Sequence, residues 1–198
     1  MGHIFCMMGK SASGKDSLYA KLLNDENLDL KRIVPYTTRP VRAGEKQGEQ
    51  YYFTSFEELE EMESQGIVIE RRVYNTYHGD WHYFTVDDGG IDLEKEDYIV
   101  IGTIESYENF KKYFGAEKVI PFYIEVEDGI RLERALNRER QQQCPKYEEM
   151  CRRFLADAKD FAEDKIVKAG ITTRYQNDNF EDCLQSLREC VWRLKSIK

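Results

Sequence analysis

The feature that most constrains this chain is a glycine-rich stretch between an apolar run and a helical pattern near its start. The run ends at Met8, and Gly9, Gly14 and Lys15 follow in the spacing G-x-x-x-x-G-K. Glycines let the backbone wrap around phosphate oxygens, and the positive end of the next helix faces the same place. The lysine adds a mobile positive charge. The pattern therefore predicts a phosphate-binding loop between the first strand and the first helix.

The residue after the loop lysine is Asp16, where this pattern usually has the hydroxyl group that ligates Mg²⁺. A carboxylate also ligates Mg²⁺, and Ser17 supplies a hydroxyl group one residue later. We therefore expect Mg²⁺ to be held through the nucleotide, with Asp16 or Ser17 as its protein ligand. The residues predicted to bind the phosphates of ATP are Gly9, Lys10, Ser11, Ala12, Ser13, Gly14, Lys15, Asp16 and Ser17.

Short apolar runs alternate with helical patterns along most of the chain. We predict strands over residues 3–8, 32–37, 98–103, 119–126 and 171–176. This alternation predicts an α/β fold, with a five-stranded parallel sheet inside a three-layer α/β/α core. Residues 38–90 are instead rich in Arg, Glu, Gly and Tyr, and their strand-forming runs are short. This segment indicates an inserted small lobe of antiparallel strands.

The bulk composition limits the partners and the compartment. With 198 residues, a single domain is expected, and no apolar stretch is long enough to span a membrane. The net charge of −8 argues against nucleic acid or an anionic membrane as a partner, because both need a basic surface. The five cysteines include no C-x-x-C pair, so they indicate thiols in a reducing compartment, and we expect a cytoplasmic protein.

A second motif lies in the inserted segment. It reads T-T-R-P-V-R-A-G-E and is followed by Tyr51. Arg39 and Arg42 lie three residues apart beside a glycine turn, so they can clamp one phosphate from two sides. The hydroxyl group of Tyr51 can donate a further hydrogen bond to the same phosphate. Taken alone, without the phosphate loop, the motif favours a solvated surface turn.

With the two motifs in this order, the chain resembles guanylate kinases over about residues 3–190. Members of that family transfer a phosphoryl group from ATP to GMP. The resemblance implies that Arg39, Arg42 and Tyr51 bind the phosphate of GMP. It also implies that Glu70, which follows a short apolar run, accepts hydrogen bonds from N1 and N2 of guanine. His78 stands in the register of a second phosphate-contacting tyrosine of the family, so it is expected to bind the acceptor too.

The resemblance further implies an arginine-rich helical lid over residues 137–153. Arg134 and Arg138 lie on one helix face, and Arg153 aligns with the third lid arginine of the family. With Lys15, these arginines are the expected catalytic residues, because they neutralise charge on the transferring phosphoryl group. Asn177 aligns with the adenine-contacting loop of the family and is expected to bind ATP.

The expected organisation is one guanylate-kinase-like domain over residues 1–198. Its core comprises residues 1–37, 91–136 and 154–198, and its acceptor-binding insertion comprises residues 38–90. The expected substrates are ATP and GMP, and the chain is expected to be a monomer or a dimer.

Three positions depart from the family pattern and leave other functions open. Pro35 replaces a base-binding serine of the family. The third core strand ends in G-T-I-E, where Thr103 and Glu105 are expected to replace family carboxylates that face guanine and the magnesium shell. The run Lys15-Asp16-Ser17 resembles the loop of bacterial ribose 1,5-bisphosphate phosphokinases, so a phosphorylated sugar is an alternative acceptor. A non-catalytic guanylate-kinase-like binding module is a third hypothesis. The intact loop and the lid arginines argue against that module.

Overall fold

A five-stranded parallel sheet forms the centre of the computed structural model, which describes residues 1–42, 44–76 and 79–196. The strands are β1 (Ile4–Met8), β2 (Leu30–Arg32), β7 (Asp97–Ile101), β8 (Val119–Glu125) and β9 (Arg174–Gln176). They lie in the order β2-β7-β1-β8-β9. Every side chain of the central strand β1 is buried, as a continuous apolar run predicts. The predicted α/β fold with a parallel five-stranded sheet is confirmed.

Helices cover both faces of this sheet. Phe5 and Met7 of β1 lie in an apolar cluster with residues of α1 (Lys15–Leu23) and α7 (Phe180–Lys195). Ile4, Cys6 and Met8 lie in a second cluster with residues of α3 (Ile104–Phe114) and α6 (Glu163–Lys168). The remaining helices of the core, α4 (Asp128–Arg140) and α5 (Tyr147–Asp160), pack against each other. Within the described ranges, no helix combines the length and the apolar character needed to cross a bilayer.

A second sheet and one helix form what we call the small lobe. Its elements are β3 (Tyr36–Thr37), β4 (Tyr52–Phe53), α2 (Phe56–Ser64), β5 (Val68–Thr76) and β6 (Gly79–Val86). The strand order is β4-β3-β6-β5. Strand β6 pairs antiparallel with β3 and β5, whereas β3 and β4 are parallel. Leu59 of α2 packs against Phe84 and Val86 of β6, so this lobe has an apolar core of its own.

The chain segment that joins the two sheets differs from the prediction. Residues 32–37 are predicted as one strand, but the structure has two, with β2 in the central sheet and β3 in the small lobe. Pro35 lies between them and has no backbone N–H group for a strand ladder. Its carbonyl oxygen accepts a hydrogen bond from the backbone N–H group of Tyr52 (2.9 Å). Near the carboxyl terminus, the strand predicted over residues 171–176 is limited to β9.

The buried His82 of β6 generates a prediction for stability against pH. Burial lowers its pKa, and the neighbouring charge of Arg71 lowers the pKa further, while Arg71 Nε donates to His82 Nδ1 (3.1 Å). The unfolded chain, with a histidine pKa of about 6.5, therefore binds more protons than the folded chain below that pH. We expect the free energy of unfolding to fall as the pH falls from about 6.5 towards the folded pKa. We expect His82→Asn to flatten this part of the curve.

Urea unfolding at pH 7.5, 6.5 and 5.5 checks this expectation, with the parent chain and His82→Asn measured side by side. Other groups titrate over the same range, so the decisive quantity is the difference between the two proteins at each pH. A difference that stays constant from pH 7.5 to pH 5.5 would contradict the assignment of a lowered pKa to His82.

Candidate active site

The loop after β1 has the backbone geometry of a phosphate cradle. Gly14 has a φ of 85°, in the left-handed region that favours glycine, and α1 begins at the next residue, Lys15. Ala12 also has a positive φ of 62°, which is uncommon for a residue with a Cβ atom and is typical of functional loops. Among the described residues, no side chain caps the first turn of α1. Ser17 and Leu18 donate their backbone N–H groups to the carbonyl oxygen of Gly14 (both 3.1 Å), so within the described ranges the N–H groups of Lys15 and Asp16 remain available for an anion.

Side chains from distant parts of the chain hold this loop in place. The backbone N–H group of Ser11 donates to Asp157 Oδ2 of α5 (2.7 Å), and the carbonyl oxygen of Ser11 accepts from Arg131 Nη1 of α4 (2.9 Å). Asn177 Nδ2 donates to the carbonyl oxygen of Ser13 (2.7 Å). Arg131 is itself buried and paired with Asp128 Oδ1 (2.6 Å). The loop is thus anchored from helices α4 and α5 and from the segment after β9.

Asn177, predicted to contact ATP, lies behind the loop. Its side chain is buried, with 2% of the residue exposed, and a Cβ atom at Gly14 would collide with its Nδ2 atom. The observed contact is therefore with the loop backbone rather than with open solvent. Sequence reasoning identified the residue but not this anchoring role. It also did not predict the contacts of Arg131 and Asp157 with Ser11, because both residues lie more than 100 positions away along the chain.

The residues around Lys15 fit a metal ion that is held mainly by phosphate oxygens. Asp16 has a side chain that is 76% exposed, and its Oδ2 atom lies 3.5 Å from Lys15 Nζ. Ser17 is exposed on α1 and lines an open groove with Ala20 and Asn24. Across the described ranges, no three His, Cys, Asp or Glu side chains form a group that could hold a metal. One carboxylate beside a phosphate cradle suits Mg²⁺, which keeps few protein ligands.

The structure brings two of the three predicted lid arginines to the loop region. Arg153 Nη2 of α5 donates to Ser11 Oγ (3.2 Å). Arg134 Nη2 of α4 donates to the carbonyl oxygen of Asn177 (3.1 Å), next to the contact that anchors the loop. Arg138 is exposed, and its side chain has no hydrogen-bond or ion-pair partner within the described part of the chain.

The predicted phosphate clamp lies in the small lobe and is organised by Glu45. Arg39, only 3% exposed, donates from Nη2 to both carboxylate oxygens of Glu45 (2.8 and 3.0 Å). The same carboxylate accepts from the backbone N–H group of Arg42 (2.8 Å). These bonds lower the pKa of Glu45, with the Arg39 bond as the largest cause. The Arg39 guanidinium lies over the ring of Tyr51 (5.5 Å), so two of the clamp residues are in contact. His78 lies outside the described residues.

A buried carboxylate network surrounds Glu70, the predicted base reader. Glu70 is 4% exposed and accepts from Thr85 Oγ1 (3.0 Å), Ser106 Oγ (3.3 Å) and Arg72 Nε (3.0 Å). Ser106 also lies 3.2 Å from Thr103 Oγ1, the residue that caps α3. The predicted residues Glu70 and Thr103 are therefore linked through Ser106.

Sequence reasoning missed the donors to Glu70. The period-two alternation of β5 carried a signal for Arg72, since residues two apart on a strand share a face. Thr85 lies opposite Glu70 on β6, in a register that the sequence alone does not give. Two further tyrosines join the same neighbourhood: the ring of Tyr83 contacts the rings of Tyr51 (5.5 Å) and Tyr74 (5.4 Å).

The glycine at the end of the third core strand has a structural reason. Gly102 donates from its N–H group to the carbonyl oxygen of Met7 (3.0 Å), so it continues the pairing of β7 with β1. A Cβ atom there would lie 3.1 Å from Ser106 Cβ and 3.2 Å from Cys6 Sγ. Glycine thus lets the start of α3, and with it Ser106, approach the sheet closely.

Known proteins of one family resemble this chain over nearly its whole length. A family model described as guanylate kinase matches residues 1–194. The chain belongs to the guanylate kinase family. Among curated relatives, the guanylate kinase of Baumannia cicadellinicola subsp. Homalodisca coagulata is 39% identical over 80 residues, which are 38% of this chain and 39% of that protein. The guanylate kinase of Blochmanniella floridana is 42% identical over 71 residues, 35% of this chain and 34% of that protein.

The chain therefore spans 39% and 34% of the length of these two guanylate kinases. Among solved structures, the crystal structure of guanylate kinase from Anaplasma phagocytophilum covers 100% of this chain, and the match covers 87% of that chain. The TM-score is 0.65 and the sequence identity is 21%. This likeness shows that the two proteins share the guanylate kinase fold.

The anchoring of the loop by Asn177 generates a prediction. Asn177→Ala removes the hydrogen bond to a buried loop carbonyl, a loss of about 1–3 kcal/mol. We expect the Kd for ATP to rise about tenfold, since a factor of ten corresponds to about 1.4 kcal/mol. Calorimetric titration measures the change, with Asp178→Ala as the neighbouring control. Equal affinities of Asn177→Ala and the parent chain would contradict the anchoring role.

Proposed function

We propose that this chain transfers the γ-phosphoryl group of ATP to GMP. The observation that carries the proposal is the pairing, within one lobe, of a two-arginine clamp with a buried carboxylate. GMP carries a phosphate dianion for Arg39, Arg42 and Tyr51 and a base edge with two adjacent N–H donors for Glu70. An adenine would leave that carboxylate without those donors, which is the strongest form of discrimination open to a buried polar site.

Transfer needs no general base on the protein, because an ionised oxygen of the acceptor phosphate is the attacking group. This oxygen bonds to the γ-phosphorus while the bond from that phosphorus to the β–γ bridging oxygen breaks, and ADP leaves. The protein contributes positioning and charge neutralisation. Lys15 approaches the β- and γ-phosphates, and Arg134, Arg138 and Arg153 neutralise the phosphoryl group in transit.

We propose Mg²⁺ as the metal that accompanies ATP. When bound, it would neutralise part of the charge on the phosphate groups. Asp16 is the preferred protein ligand, because it adjoins Lys15 and its carboxylate is exposed, and Ser17 is the alternative. His78 and Thr103 complete the proposed acceptor site, and Asn177 completes the proposed ATP site.

We propose further that residues 38–90 form the acceptor insertion and residues 137–153 the lid. The core would then comprise residues 1–37, 91–136 and 154–198. The second sheet, with β4 to β6 inside the insertion, supports this division. We propose a cytoplasmic protein with nucleotides as partners, and the five free thiols support a reducing compartment. The net charge of −8 argues against nucleic acid or an anionic membrane as a partner. We propose a monomer or a dimer.

A phosphorylated sugar such as ribose 1,5-bisphosphate is the second candidate acceptor. One observation favours it: Glu70 already pairs with Arg72, which places an additional cation in the acceptor region. A non-catalytic binding module fits less well, because the phosphate loop retains Gly9, Gly14 and Lys15 in the geometry described above.

The choice between acceptors generates a prediction. With ATP and Mg²⁺, we expect kcat/KM for GMP to exceed that for AMP and UMP by at least about 100-fold, because only guanine presents two donors to Glu70. We expect dGMP to react and ribose 1,5-bisphosphate to fail. A coupled assay of ADP release over these five acceptors checks the order. Preference for ribose 1,5-bisphosphate over GMP would overturn the proposed function.

The proposed role of Lys15 generates another prediction. Lys15→Ala removes the mobile charge from the transferring phosphates, so we expect kcat to fall by about 10²–10³-fold, as for other lost transition-state contacts. Lys21→Ala, an exposed lysine of the same helix, is the matched control and is expected to keep full activity. Turnover of Lys15→Ala within a few-fold of the parent chain would contradict the assignment.

A further inference from the structure

The carboxylate of Glu70 has no free acceptor position in this structure. A carboxylate offers about four lone-pair sites. Oε1 accepts from Thr85 Oγ1 (3.0 Å) and Arg72 Nη2 (3.4 Å), and Oε2 accepts from Arg72 Nε (3.0 Å) and Ser106 Oγ (3.3 Å). A guanine base can therefore reach Glu70 only if one of these donors leaves.

Arg72 is the donor that can leave. Thr85 and Ser106 are short side chains on buried residues, fixed by β6 and α3. Arg72 has a long side chain that is 19% exposed. Its Nε and Nη2 atoms meet the carboxylate as a two-pronged fork, which is also the pattern that guanine presents through N1 and N2. Arg72 and the base thus compete for the same two oxygens.

The acceptor phosphate is a suitable destination for the released guanidinium. Arg72 lies opposite Tyr83 in the pairing of β5 with β6, and the ring of Tyr83 contacts the ring of Tyr51 in the clamp (5.5 Å), so Arg72 lies one residue away from the clamp. Within the described part of the chain, Arg72 Nη1 has no hydrogen-bond partner. Arg39 Nη1, in contrast, already donates to the carbonyl oxygen of Pro40 (2.8 Å).

We propose that Arg72 couples recognition of the acceptor phosphate to reading of the acceptor base. In the free protein Arg72 blocks Glu70; when a phosphorylated acceptor binds, its guanidinium moves to the phosphate, and Glu70 becomes available to guanine. This inference rests on the proposed function. It follows that a nucleoside without a phosphate group cannot open the pair, because it offers Arg72 no replacement for the carboxylate. Arg72 is thus a specificity-determining residue against unphosphorylated guanosine.

The neighbouring residue Arg71 provides a matched control. It belongs to the same strand but its side chain lies on the other face, where Nη1 donates to Glu63 Oε1 (2.7 Å) and Nε to His82 Nδ1 (3.1 Å). Arg71→Ala removes the same charge from the same strand without freeing Glu70. General loss of positive charge, or general loosening of β5, would affect both variants.

The test measures Kd for guanosine and for GMP by calorimetry in the parent chain, Arg72→Ala and Arg71→Ala, with circular dichroism as the check on folding. We expect Arg72→Ala to bind guanosine at least tenfold more tightly than the parent chain, and GMP no more tightly. The ratio of the Kd for guanosine to the Kd for GMP then falls at least tenfold. We expect Arg71→Ala to keep the parent preference within threefold. Unchanged or weaker guanosine binding by a folded Arg72→Ala would overturn the proposal.

A second measurement uses the parent chain and remains decisive if Arg72→Ala fails to fold. The side-chain ¹⁵N–¹H resonance of Arg72 Nε, assigned by its loss in Arg72→Lys, is followed during titration with GMP, guanosine and inorganic phosphate. We expect GMP to shift the resonance and guanosine to leave it in place. If GMP binds and the resonance does not move, this inference alone fails. If ATP binds but GMP does not, the proposed function fails, and the inference fails with it.

Discussion

The fully buried strand β1 is the constraint on which the rest of the molecule depends. It pairs in parallel with β7 on one side and β8 on the other, and its alternate side chains enter two separate apolar clusters. Because two neighbouring strands and apolar packing on both faces fix β1, the residue after Met8 lies at a fixed point at the carboxyl edge of the sheet. The phosphate loop begins there, and contacts from Asp157 and Asn177 hold its backbone. These partners lie 146 and 164 residues away from the loop along the chain. The loop therefore adopts this geometry only when the core has folded.

The small lobe holds two arginines of the proposed acceptor site, each in an ion pair with a carboxylate. Arg39 pairs with Glu45, and Arg72 pairs with Glu70, so each buried or half-buried guanidinium has one carboxylate partner. Burial opposes the charge on Arg72, but Glu70 and nearby tyrosines raise its pKa overall. Such pairs keep the charges compatible with a folded lobe, since removal of one partner from a buried pair costs about 3–5 kcal/mol. Under the proposed function, they also make anion binding an exchange of ion-pair partners.

Short sequence patterns predicted the elements whose formation depends on neighbouring residues. The apolar run of β1, the helix that begins at Lys15 and the arginine pair Arg39 and Arg42 were all visible in short windows of sequence. The strand period indicated that Arg72 and Glu70 share a face of β5, but it did not indicate that Glu70 is buried. The split of residues 32–37 into two strands was not predicted, because the strands on either side of Pro35 belong to two different sheets. The buried positions of Arg131 and Asn177 were not predicted, because their hydrogen-bond partners lie more than 100 residues away along the chain.

The central claim is that the phosphate loop and the small lobe form two separate nucleotide sites, with Glu70 in the second alone. Its most direct test is a pair of calorimetric titrations of Glu70→Gln, one with ATP and one with GMP. The claim predicts that GMP affinity falls at least about 100-fold, because the variant loses both the charge and one acceptor for the guanine edge. It predicts that ATP affinity stays within twofold of the parent value. Parent-like binding of GMP to Glu70→Gln, or equal loss of both nucleotides, would contradict it.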